Sequence, residues 1–390
     1  MDSTAISKYN NKTHPTFSFF YDIVKEADDK QKTVSELWKK IYGLFATIEE
    51  WYNDEDLYHY VGYLSVVKSN STEDMVIHYL EQYKKFAGKN DFINNCLKKD
   101  IRRSVSNCSD LDFVYEAENP DGKSKSKTVT RPVLLLHNVQ TVINQNACIS
   151  SEKKYDIPDF IRFPFHLFKK EKWDVEHIRP NNLQDFQGDR KKNEIKKYIF
   201  VLKSSEDRKI QSALEKYNTS ARDAEAFESL WESINNQTSN NELKDDQKNK
   251  IWNYVLLDSS TNREYGNACF SIKRDYVIKK ERGIKPRLSV DKAGEVFLSM
   301  DSEAAFVPIC TRKVFSKEYT QYPENMSYWT EKDAAYYRMD IEKTLWWYLK
   351  NDEDPDKFPE KLFDQYASSI IKKKNYEKSF SDFLKEVARA

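Results

Sequence analysis

Trp173-Asp-Val-Glu-His-Ile-Arg-Pro-Asn-Asn182 is the stretch that decides how the chain is read. Trp173, Val175 and Ile178 are strand formers, and Pro180 stops any strand that reaches it. Glu176 and His177 therefore fall at a strand's end. There, side chains are expected to leave the strict two-face alternation and point into one site. A carboxylate beside an imidazole combines two capacities: the carboxylate holds a hard metal ion and the imidazole takes a proton from water. Alone, a Glu-His pair is weak evidence, because a histidine satisfied by structural hydrogen bonds is the commoner case. A second stretch downstream changes that weighing.

The surroundings of this strand are expected to be helical. The 390 residues include only eight Gly and 11 Pro, and 14% are aromatic, which suits aromatic-rich helical layers around a sizeable core. Charged residues make up 32% of the chain, yet the net charge is zero. Bulk charge therefore excludes a general polyanion binder, and any nucleic-acid contact must come from a local basic patch. Five scattered cysteines, with no CxxC pair, give no zinc signature and suit a reducing compartment. The N-terminus has no basic stretch before an apolar core, and the apolar runs are short, so a cytoplasmic protein is expected.

Before the strand, Phe17 to Tyr52 and then Val76 to Tyr83 carry apolar residues at helical spacing, with Ser71-Thr-Glu-Asp74 as a helix start. His59 and His78 lie in these segments and read as packing residues. The polar span Asn119–Lys127 is a loop and a candidate boundary. Arg131-Pro-Val-Leu-Leu-Leu-His-Asn138 opens a buried element in which His137 reads as structural, and Phe160–Phe168 is an apolar lead-in to the strand. After the strand, Ile210, Leu214 and Tyr217, then Phe227, Leu230 and Trp231, make two amphipathic stripes in a polar region. That region is expected to leave the core and return to it, since loop closure costs grow slowly with length.

The second stretch is Ile251-Trp-Asn-Tyr-Val-Leu-Leu-Asp-Ser-Ser-Thr-Asn-Arg-Glu-Tyr-Gly-Asn-Ala-Cys-Phe-Ser-Ile-Lys-Arg274. Trp252 to Leu257 reads as a strand, Asp258-Ser-Ser as a turn, and a helix is expected from about Thr261. Asn262 and Lys273 are 11 positions apart, close to three helical turns, and so share a face. From Asn262 to Arg287 there are eight Lys or Arg against three acids, the local basic patch that overall neutrality conceals. Glu295–Ser299 and Ala305–Cys310 read as short strands, Val314 to Tyr319 as a helix, and Thr330 as the N-cap of another.

A strand-ending Glu-His, a strand carrying Asn and a helix opening with Asn together resemble the HNH (ββα-metal) nucleases. The wording of Arg162-Phe-Pro-Phe…Lys170–Ile178, of Asn253–Arg274 and of Phe306–Phe315 is similar to the nuclease half of GmrSD-type, modification-dependent restriction endonucleases. Leu37-Trp…Glu49–His59 resembles the middle helical region of the same proteins, so the likeness covers about residues 15 to 350. The resemblance implies a mainly α (α+β) fold. A helical domain at 1–128 would precede an HNH nuclease domain at 129–345, with its core at 160–182 and 251–287 and a helical insertion at about 195–250. A helical tail at 346–390 would follow.

In this likeness His177 is the general base and Asn253 orients its ring. Glu176 and Asn262 hold Mg²⁺ (or Mn²⁺), and Lys273, Arg274, Arg179 and Arg263 meet DNA phosphates. Arg179 stands where relatives often carry His or Tyr. The ParB-like nucleotide-binding domain that opens full-length relatives has no counterpart motif here, so the resemblance implies either a separate ParB-like subunit as partner or a truncated remnant of the gene. The expected substrate is DNA, including base-modified phage DNA, with no membrane. The alternative from another class is a catalytically inactive nucleic-acid-binding or partner-docking remnant. A helical interaction protein with a coincidental Glu-His pair is the third.

Overall fold

Helices make up most of the described chain, and two antiparallel pairs of strands are the only sheets among the described residues. The coordinates are a computed structural model that describes residues 8–68, 71–106, 130–151, 160–179, 196, 199–200, 202–203, 208–221, 224–238, 243–259, 270–292, 295–302, 306–320, 323 and 326–349. The chain divides into two compact units, one ending at Tyr58 and one beginning at His59.

The first unit contains α1 (Pro15–Lys25) and α2 (Lys30–Asn53). Asp29 caps α2 by accepting a hydrogen bond from the Lys32 amide at 2.9 Å. Tyr9 packs edge-on against Phe19 and donates its hydroxyl to Asp22 at 2.9 Å. The helical spacing from Val34 to Tyr52 is one continuous helix. Its next neighbour, α3 (Glu55–Val67), contains the junction between the units.

In the second unit, Ser71 caps α4 (Thr72–Tyr83) through the Asp74 amide, as the Ser-Thr-Glu-Asp sequence predicts. Then α5 (Lys89–Phe92) runs through a π-type turn (Ile93–Leu97) into α6 (Lys98–Val105). The centre of the unit is α7 (Arg131–Ser151), whose Val133–Val139 run is wholly buried. Packed on α7 are α12 (Ile309–Ser316), α13 (Glu331–Leu349) and the strand β2 (Tyr254–Asp258). Thr330 caps α13 and Asp333 answers by accepting from the Thr330 amide, a reciprocal pair of bonds.

Helices after His59 belong with this core. The Tyr63 hydroxyl meets Ser104 and the Pro132 carbonyl, and Arg102 donates to the Trp347 carbonyl at 2.7 Å while stacking on that ring. Gly62 admits the Phe165 ring so closely that an added Cβ would lie 2.3 Å from it. The compact units part at 58/59 rather than at the expected 128/129: Tyr63 of α3 meets α7 and Arg102 of α6 meets Trp347 of α13. The polar span 119–127 and the tail from 350 onward lie outside the described residues.

The strand β1 (Trp173–His177) follows α8 (Phe165–Lys170) and pairs antiparallel with β2, Glu176 opposite Val255 and His177 opposite Tyr254. The chain between them leaves and returns to the same strand edge. Within it, α9 (Arg208–Asn218) and α10 (Ala224–Thr238) pack on each other through Ile210, Leu214, Tyr217, Phe227 and Leu230. Ile272 of α11 (Phe270–Glu281) joins that cluster and ties it to the strand pair.

Two sequence expectations change after α11. The chain forms a hairpin of β3 (Ile284–Val290) and β4 (Val296–Ser302), of which only the second strand was legible. Pro286 argues against a central strand, and a two-stranded sheet has only edges, where a missing amide is tolerated. The strand expected across Ala305–Cys310 is instead irregular over its described part, and helix α12 begins at Ile309, directly after Pro308. Proline suits a helix's first turn because it lacks only an amide that would have no helical partner. That helix ends at Lys317, which turns left-handed (φ 56°), short of Tyr319.

Candidate functional site

His177 is half-buried at the last paired position of β1, and four contacts hold it. Its backbone is in register with Tyr254, whose ring lies 4.7 Å from the imidazole. The Lys273 ammonium of α11 donates to the His177 carbonyl. The ring Nε2 lies 3.1 Å from Asn249 Oδ1, which also accepts from the Tyr254 hydroxyl at 3.3 Å. A carboxamide oxygen only accepts, so Nε2 carries a proton, and in the neutral ring the basic nitrogen is then Nδ1.

The residue expected to orient this ring was Asn253, and the structure corrects that. Asn253 is fully buried in the turn Ile251–Asn253 before β2, and its carboxamide is used on backbone. Oδ1 accepts from the Arg179 amide at 2.9 Å, while Nδ2 donates to the carbonyls of Arg179 at 3.0 Å and Lys248 at 2.8 Å. Its own carbonyl accepts from the Ile178 amide at 2.8 Å. A carboxamide presents one acceptor and one donor side by side, the complement of a peptide's own pair, and this staples the chain just beyond His177. Asn249 was missed because it sits in the featureless Lys248-Asn-Lys250. The signal was its spacing: it lies just ahead of the residue opposite His177.

Glu176 pairs with Val255 and stays in the ladder, as does His177. Alternation therefore puts Glu176 on the half-exposed face with Asp174, and His177 on the face of Trp173 and Val175. The two do not leave the alternation as expected, so a shared ligand would have to sit at the strand's end rather than over one face. Asn262 and Arg263 lie outside the described residues, as does the expected onset of the helix at Thr261.

The basic patch is partly interior. Lys273 and Lys280, seven residues apart, lie on the buried face of α11 with Tyr276 and Val277. Lys280 pairs with Asp258 at 2.8 Å and Glu171 at 2.9 Å, over the Trp173 ring. Lys279 pairs with Asp275. Arg179 is buried as well, and Arg274 is half-buried with a buried Nε that meets no acceptor among the described residues. Apolar Tyr276 and Val277, three and four residues after Lys273, share the buried face and draw the lysine stems inward, and internal carboxylates or carbonyls satisfy their heads.

The other histidines described here with packing roles keep them. His59 is buried and accepts the Phe163 amide at 3.1 Å. His137 is buried with Nε2 2.7 Å from Asp340 and 3.8 Å from the Cys310 sulfur. Burial alone would lower its pKa; the negative potential of Cys310 and the bond to Asp340 outweigh that and raise it from 6.5 to about 10. Cys310 is itself fully buried, so it is not presented to a substrate.

Among the described residues, no three His, Cys, Asp or Glu side chains converge as a metal cage. Mg²⁺ needs none: it keeps several waters and is held by one or two carboxylates with substrate phosphate. A half-exposed Glu176 near the end of β1 fits that hard-donor pattern, on the face opposite the His177 ring. No helix among the described residues is long and apolar enough to cross a membrane. Compared with known proteins, the chain matches no family model, no curated protein and no solved structure.

Proposed function

We propose that the protein is a metal-dependent DNA endonuclease of the HNH type, a cytoplasmic subunit of a restriction or anti-phage system. The observation that carries this reading is the half-exposed ring of His177 at the end of β1, next in sequence to Glu176 and with its Nε2 bonded to Asn249. The antiparallel pair β1–β2, with Lys273 of α11 donating to the His177 carbonyl, supports this reading.

In this reading His177 Nδ1 takes the proton from a water attacking a phosphodiester, while the Asn249 bond keeps the tautomer and the ring angle. Glu176, with Asn262 by resemblance, would hold Mg²⁺ or Mn²⁺. When bound, that ion stabilises charge developing on the phosphate and leaving oxygen. Asn253 and Lys273 serve as positioning residues for the backbone that leaves the ring, from the His177 carbonyl to Arg179. Arg274, and Arg263 by resemblance, remain the candidates for phosphate contacts, which position DNA without reading its sequence. A separate ParB-like subunit would supply nucleotide control and the choice of modified DNA.

The test is cleavage of plasmid and modified phage DNA with Mg²⁺ or Mn²⁺, comparing wild type with His177→Ala. Metal-dependent nicking by wild type, lost in the variant by at least about 10²-fold with DNA binding retained, is the expected result. Equal nicking by both proteins would remove His177 from the chemistry.

A further inference from the structure

The first unit carries an apolar surface that the proposed nuclease site does not use. On α2, Val34, Trp38, Tyr42, Phe45, Glu49 and Tyr52 follow one another at steps of four, four, three, four and three, so Val34 and Tyr52 stand five turns apart on one stripe. Glu49 is its one charged member, and Ile48 lies on its shoulder. Val34, Trp38, Tyr42, Phe45, Ile48 and Tyr52 are each between 45% and 67% exposed. A monomer rarely leaves a contiguous apolar strip of this length in water.

We infer that this stripe is a self-association surface, on which α2 of a second copy packs antiparallel. Area supports a whole-protein partner. With aromatic side chains offering about 150–250 Å² each, the stripe presents roughly 500–800 Å² per copy, close to the approximately 800 Å² per partner of a stable interface. Charge selects the orientation. An antiparallel pair centred between Gly43 and Leu44 sets Tyr42 opposite Phe45 of the other copy and brings Lys39 beside Glu49. A parallel pair would instead set Glu49 against Glu49, and flanking charges of this kind choose helix direction. Gly43 itself faces away from the stripe into open space, so it leaves the packing surface uninterrupted.

Sedimentation velocity of the full chain between about 0.5 and 50 µM tests this, a range that resolves a micromolar dimer. Wild type is expected at twice the 46.2 kDa chain mass. Phe45→Glu is expected as a monomer, its association weakened by at least about 100-fold. Its far-UV circular dichroism should stay unchanged, because Phe45 is exposed within one chain. Lys39→Glu and Glu49→Lys should each weaken association, and the two together should restore it. A monomeric wild type, or a dimer indifferent to Phe45→Glu, overturns the surface. Failure of the double swap to restore association overturns the antiparallel register.

Discussion

The His177 imidazole is held by Asn249, at 3.1 Å from Nε2 to Oδ1, and not by the buried Asn253 four residues further on. The two asparagines divide one task, Asn249 setting the ring and Asn253 setting the chain that leaves it. That division predicts different phenotypes for chemically similar substitutions.

Asn249→Ala should lower cleavage by about 10- to 100-fold, the usual cost of losing a group that orients a reactive side chain, with stability nearly unchanged. Asn249→Asp keeps an acceptor for Nε2 and adds negative charge, which raises the imidazole pKa. Activity should then return in part, with the acid limb of the pH–rate profile moved to higher pH. An unmoved profile in both variants would show that Asn249 does not act through His177.

Asn253→Ala should destabilise the fold by about 2–4 kcal/mol, because it strips buried partners from the Arg179 amide and from the carbonyls of Arg179 and Lys248. Urea unfolding followed by tryptophan fluorescence measures this. A wild-type midpoint would mean that water or a shift of the turn replaces the staple.

The buried lysines of α11 should behave as structural cations. Lys280→Ala leaves Asp258 charged and enclosed, and a loss of about 3–5 kcal/mol is expected. Lys273→Met should lower stability and cleavage together while leaving the salt dependence of DNA binding unchanged, since its ammonium is engaged at the His177 carbonyl. A salt slope that drops by about one contact would instead assign Lys273 to a phosphate.

His137 predicts a pH signature away from the candidate site. Its folded pKa is raised to about 10 by Cys310 and Asp340 against the opposing effect of burial. A raised histidine adds stability that is fully present below its unfolded value near 6.5 and is lost as pH climbs toward 10. Wild type should therefore weaken across that window, and Asp340→Asn should flatten the decline. Parallel urea-midpoint curves for the two proteins would rule the pair out as its source.

Local pattern made much of this legible. Helical spacing located α2 and α4, Ser71 and Thr330 announced their helices, and strand-formers bounded by Pro180 marked β1. These signals survive without tertiary context because they rest on side-chain period and on backbone groups satisfied within a few residues. The β3 strand was hidden by Pro286, and the start of α12 by an apolar run that fits strand and helix alike.

The sequence by itself determined which segments are helical, where the Glu176-His177 strand ends, and that His59 and His137 belong to packing. Only the tertiary structure decided the partners. Pairing β1 with a strand 77 positions downstream placed Asn249 on the imidazole and turned Asn253 onto backbone. The buried face of α11 drew Lys273 and Lys280 inward, out of what a charge count reads as a patch. The physical reason is common to both: an asparagine or lysine head group bonds whatever donor or acceptor the fold brings within about 3 Å. Sequence distance carries no information about that neighbour.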